Sequence, residues 1–222
     1  MSEERVFDEV YRGFEINPSR KGMLKKRLDD LIRVCGNAQD NHGNTTAVMF
    51  KINYPYQALN QDGKDVFNVF LRLFRQEMSE QNKARRRFSS ILNESRDSSR
   101  LVRYVYVVEE SLYSRNTVRK QGWFNPPELT ESLNAVFLFN GNRFSIEGRG
   151  SKNKLKNMII DVWENILRNS RVSLDSYDID WIGWYKFSAE RITDDLFLDY
   201  HYVANDDFEA NSKIQVFSAS SG

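Results

Sequence analysis

The sequence of 222 residues predicts an α+β fold, a central antiparallel sheet with helices packed on one face. Three observations carry that expectation. Apolar residues recur at spacings of three and four over residues 66–78 and 155–167, the period of amphipathic helices. Four runs rich in β-branched and aromatic residues, at 45–54, 101–109, 133–139 and 181–187, read as strands. Two of those strands follow each other with only a loop between them, which breaks any regular strand–helix alternation.

Taken in order, residues 1–17 read as a loosely attached arm. Pro18-Ser19 then opens a helix with Met23, Leu24, Leu28, Leu31, Ile32 and Cys35 on one stripe and Gly36 as its C-cap. Residues 36–44 read as a polar loop holding His42. The strand at 45–54 stops at Pro55. The arm and first helix, 1–44, are thus set off from a main domain at 45–222. From Lys64 a long helix presents Val66, Phe67, Phe70, Leu71, Phe74 and Met78, and Lys83 to Phe88 extend it as a basic end.

The first central strand, 101–109, is followed by a long aromatic loop and the second central strand, 133–139. Asn140-Gly141 suits a type I′ turn, with Phe144-Ser145-Ile146 as a brief return strand. Gly148-Arg149-Gly150-Ser151 is a turn before the next helix, without the spacing of a phosphate-binding loop, although it still offers backbone N–H groups to a phosphate at the helix N-terminus. Leu155, Met158, Ile159, Val162, Trp163, Ile166 and Leu167 make that helix strongly periodic. Trp181 and Trp184 in the late strand alternate poorly for one face and read as packing residues, and a further helix runs from Ala189 towards Tyr202. The short, interrupted apolar runs predict no membrane span, and the charged start of the chain predicts a cytoplasmic protein. Cys35, the only cysteine, excludes an intrachain disulfide and a cysteine-based zinc site.

A net charge of +1 conceals segregation. Residues 83–103 carry seven basic side chains against two acidic ones, and residues 143–156 carry five against Glu147. Residues 175–209 reverse the balance, with ten acidic residues against Lys186 and Arg191. A near-neutral protein can still present one positive face, and phosphate binding responds to that local field. The residues expected to contact nucleic acid are Lys83, Arg85, Arg86 and Arg87 in the first cluster and Arg149, Lys152, Lys154 and Lys156 in the second. Trp123 and Phe124, in the long inter-strand loop, are the aromatics expected to stack on unpaired bases.

Six segments in order resemble the replication-initiator-like proteins of inoviruses and their relatives on prophages and islands, within the HUH endonuclease class. They are Lys51-Ile52-Asn53-Tyr54; the helix from Phe67 to Phe74; Tyr104-Val105-Tyr106-Val107-Val108-Glu109-Glu110; the strand from Ser132 to Asn140; Val162-Trp163-Glu164-Asn165-Ile166-Leu167; and His201-Tyr202-Val203-Ala204-Asn205 with Phe217-Ser218-Ala219-Ser220. The resemblance implies an HUH/RRM-like core. It also places Ser132 and Asn134 on the family's two metal-binding histidines, Glu109 on its third ligand and Tyr202 on its nucleophile.

Those enzymes cleave single-stranded DNA with a tyrosine nucleophile, and a divalent ion polarises the scissile phosphate. Alternate residues of a strand share a face, so a histidine pair two apart reaches one ion. A serine hydroxyl and an amide oxygen keep that spacing but are weak, hard ligands, tolerable for Mg²⁺ and poor for Mn²⁺. His42 and His201 are the only histidines, and the family lysine three residues after the tyrosine is Asn205 here. Loss of that cation leaves developing phosphate charge less stabilised. The expectation is therefore a DNA-binding protein of rolling-circle-initiator descent, linked to phage or mobile-element replication, without efficient nicking. Tyr202 is then a vestige, and no cofactor is expected beyond Mg²⁺ or Mn²⁺ if nuclease activity persists. The partners expected are single-stranded or hairpin DNA. Two alternatives stand beside it: a working endonuclease using Glu109, Asn134 and Tyr202, and a protein-interaction module that docks through the acidic C-terminal third. Asp194, Asp195 and Asp199 read as a solvated helix face rather than a metal site.

Overall fold

Near its start the chain makes two short antiparallel pairs. In the first, β1 (Arg5–Val6) pairs with the strand at Met23–Leu24, which becomes β4; in the second, β2 (Val10–Tyr11) pairs with β3 (Phe14–Glu15). The turn between β2 and β3 sets Arg12 at φ 51° and Gly13 at φ 88°, the two positive values that a type I′ hairpin requires. A computed structural model provides this description, which covers residues 4–18, 20–42, 44–55, 63–86, 102–113, 128–141, 150–174, 177–187 and 212–220.

The segment expected as a loose arm is therefore pinned. Val6 and Ile16 are buried, Tyr11 donates its phenol proton to Asp29 at 2.8 Å, and Arg12 pairs with the same carboxylate at 2.9 Å. The first helix, α1 (Lys25–His42), also departs from expectation at both ends. Met23 and Leu24 belong to β4, and the helix runs through Gly36 instead of stopping there. Ala38, fully buried, continues the stripe of Leu28, Leu31, Val34 and Cys35 beyond the glycine. Asn41 donates to the Asn37 carbonyl at 2.6 Å within the last turns.

The main sheet is built from β5 (Thr45–Pro55), β6 (Val102–Tyr113), β7 (Glu128–Asn140), β8 (Asp178–Phe187) and β9 (Ser212–Ala219). Every pairing is antiparallel, in the order β8-β5-β7-β6-β9. Between them lie α2 (Gly63–Arg86) and α3 (Ser151–Asn169). The path β5-α2-β6-β7-α3-β8 is the split β-α-β-β-α-β motif, and β9 adds a fifth strand beside β6. The α+β class with a central antiparallel sheet is thus observed.

Helices cover both faces of the sheet, not one. Val48, Phe50, Ile52, Phe137 and Phe139 join α2 and α3 in one core, in which Trp163 is fully buried. Ala47, Met49, Val105, Val107, Val136 and Leu138 join α1 in a second core on the opposite face. The physical reason is that β5, β6 and β7 are apolar at consecutive positions, and a strand apolar on both faces needs cover on both. Aromatic packing dominates the first core: Phe137 lies 5.2 Å from Phe50 and from Phe74, centroid to centroid, and Phe67 stacks on Tyr106 at 3.6 Å.

Asn140 does not form the expected type I′ turn. It stays in the ladder opposite Thr45, and the Gly141 N–H donates to the Asn44 carbonyl at 2.8 Å. The return strand at 144–146 and the helix expected from Ala189 lie outside the described residues. Among the described residues, no helix is long and apolar enough to cross a membrane.

Candidate functional site

Register assembles polar residues at one end of the sheet, on the face that carries α1. Glu109, Ser132, Asn53 and Asp178 lie opposite one another across β6, β7, β5 and β8. Two residues along each strand, the next row is Val107, Asn134, Lys51 and Asp180. Because side chains alternate faces, the burial of Val107 in the α1 core assigns both rows to that side. The three positions expected to hold a metal ion, Glu109, Ser132 and Asn134, are therefore neighbours in the sheet; Glu109 is described by its backbone position.

Ser132 and Asn134 are each 1% exposed and Asn53 is 6% exposed. The Ser132 hydroxyl donates to Asn53 Oδ1 at 2.6 Å. The other end of that amide donates from Nδ2 to Asp178 Oδ1 at 2.8 Å and to Asp180 Oδ2 at 3.3 Å. A buried side chain of this kind is stable only when its polar atoms are paired, and Asn53 is paired at both ends. Asn53 was legible as part of the resemblance, but its bond to Ser132, across 79 residues of sequence, had no local signal.

This donor set does not fit a divalent transition-metal ion. Ser132 and Asn134 offer neutral, hard oxygens in place of imidazole nitrogens, and the serine proton is committed to Asn53. Among the described residues, no three histidine, cysteine, aspartate or glutamate side chains gather. What the arrangement does chemically is tie three strands together through a neutral amide bridging a hydroxyl and two carboxylates.

The second cluster expected to bind phosphate begins α3. Gly150, at φ 85°, is the N-cap and gives no side-chain cap, and the first turn holds no acidic residue. Lys152 and Lys154 are exposed and Lys156 is half-buried. Lys152 Nζ lies 5.7 Å from the ring centroid of Trp184. Lys156 Nζ lies 4.9 Å from the Trp181 centroid and 5.9 Å from that of Trp184.

Sequence spacing set those two tryptophans on opposite faces, and the structure sets them on one. Met49 pairs with Gly183 while Phe50 pairs with Trp181, so Ile182 is the extra residue of a β-bulge. The bulge resets the alternation, and the two indoles stack at 5.9 Å with their planes 25° apart. Both are half-buried against the α2–α3 core. Lys83, Arg85 and Arg86 close α2 and are described by backbone position. Arg87, Arg149, Trp123, Phe124 and Tyr202 lie outside the described residues.

Fold and site together define an α+β sheet protein of split β-α-β-β-α-β topology with a polar row that runs from buried Ser132 and Asn53 to the exposed Asp178. No family model matches the chain, and neither a curated protein nor a solved structure matches it.

Proposed function

We propose that the chain is a DNA-binding protein of rolling-circle-initiator descent, which takes single-stranded or hairpin DNA in phage or mobile-element replication without efficient nicking. One observation carries this reading: Ser132, at one of the two positions that the resemblance gives to metal-binding histidines, is buried and donates its hydroxyl proton to Asn53 on the neighbouring strand. The sheet keeps the spacing of a ligand pair on β7 and spends it on a structural hydrogen bond. The strand order, with two helices on one face, agrees with the HUH/RRM-like core that the resemblance implies.

Binding is supported by charge. Lys152 and Lys154 stand exposed at the start of α3, and Lys83, Arg85 and Arg86 fall in the last turn of α2. Each phosphate contact steepens the salt dependence of binding. A mobility-shift titration of the full chain on a single-stranded hairpin, over a salt series, tests the reading. The expected result is a salt-dependent shift that weakens when Arg85, Arg86 and Arg87 are changed to Ala, with no covalent DNA adduct. Weak, uniform binding to every nucleic acid at about 100 mM salt would remove it.

A further inference from the structure

Resting on the DNA-binding reading, we infer that the β8 edge is a second nucleotide site: an unpaired base stacks on the Trp181–Trp184 pair while Lys152 and Lys156 take the flanking phosphates. The site lies on the α3 side of the sheet, opposite the face of Ser132 and Asn134, so it is separable from the polar row.

The bulge at Ile182 is the first support. Without it the two indoles would point to opposite faces, and bulges recur where a sheet re-aims a side chain for use. The degree of burial is the second. Trp163 is fully buried, whereas Trp181 and Trp184 keep part of their surface open on a strand that, among the described residues, pairs with β5 alone. Two stacked indoles on a sheet edge offer the sequence-tolerant aromatic surface on which bases stack.

Charge is the third support. Lys152 and Lys156 have no carboxylate partner among the described residues, and Lys152 sits in the first turn of α3, where the helix dipole is already positive. The placement of Lys152 is relieved by an anion. The ammonium groups hover over the rings in its absence; a phosphate draws them aside and opens the ring face to a base. An acidic peptide would satisfy the ammonium groups but leave the indole surface unused.

The test is fluorescence anisotropy of a labelled oligothymidylate of about 12 nucleotides with the full-length protein, alongside an abasic strand of equal length and poly-glutamate. Trp184→Ala and Trp181→Ala are expected to weaken oligothymidylate binding about 5- to 150-fold and to leave the abasic strand within about twofold. Lys152→Gln with Lys156→Gln is expected to flatten the log–log salt slope by about 1.4, two single-strand phosphates. Thermal melts check that the variants fold, and the lysine pair, on the helix surface, decides the matter if a tryptophan variant does not. Unchanged affinity and slope in every folded variant, with wild-type binding intact, would overturn this site and spare the DNA-binding reading. Absence of wild-type binding overturns both. Equal affinity for poly-glutamate overturns the nucleotide assignment.

Discussion

Ser132 and Asn53 face each other across β7 and β5, joined by a 2.6 Å hydrogen bond from the hydroxyl to the amide oxygen. With Asn53 6% exposed, water cannot replace the serine without rearrangement. Ser132→Ala is expected to destabilise the fold by about 1–3 kcal/mol, the cost of an unsatisfied buried acceptor. Urea unfolding checks this. The double variant Ser132→Ala/Asn53→Ala should lose less than the sum of the singles, since they share one interaction; strict additivity would deny the coupling.

Phe137 is the hub of the α2–α3 core, with Phe50, Phe67, Phe70, Phe74 and Phe139 around it. Phe137→Ala leaves a cavity that these rings cannot all collapse into, and a loss of about 3–5 kcal/mol is expected. Phe137→Leu, which keeps much of the volume, should lose clearly less. Equal losses in the two variants would show that restored bulk does not substitute for the ring, and would contradict the cavity account.

Burial pushes the Cys35 thiol up from 9.0 to about 12. At pH 8 the native thiol is therefore protonated and enclosed, while the unfolded one is partly thiolate. Iodoacetamide should leave the native protein unmodified and alkylate it once in denaturant, as mass spectrometry would record. Rapid native alkylation would place Cys35 outside the α1 core.

Tyr177 donates to Glu164 Oε1 at 3.1 Å. Burial first, then the adjacent Glu164 charge and that hydrogen bond, raise its phenol from 10.0 to about 12. The folded state holds the proton more tightly than the unfolded one, so this stabilisation is full below pH 10 and lost as pH rises through 12. Tyr177→Phe should flatten the decline of stability over that interval relative to wild type. Parallel curves for the two proteins would contradict the shift.

The helical stripes of α2 and α3 were legible because every apolar position at spacings of three and four became core. The second layer was harder to see. Ala47, Met49, Val136 and Leu138 fill the face between the aromatics, and consecutive apolar residues on β5 and β7 are the signal that a sheet is covered twice. The alternation Lys213-Ile214-Gln215-Val216 is likewise the local pattern of a strand, here β9. Gly36 misled because a C-cap glycine and a helix-interior glycine look alike until Ala38 is seen to be buried. Neither the bulge that unites Trp181 with Trp184 nor the pairing of Asn53 with Ser132 has a local signature. Both depend on register between strands far apart in sequence.

The central claim, DNA binding retained and nicking lost, is tested most directly by incubating the protein with hairpin single-stranded DNA and Mn²⁺, then resolving the products on native and denaturing gels. The predicted result is a salt-sensitive shift on the native gel and intact, unlinked DNA on the denaturing one. A covalent protein–DNA adduct that forms with Mn²⁺ and disappears in Tyr202→Phe would contradict it.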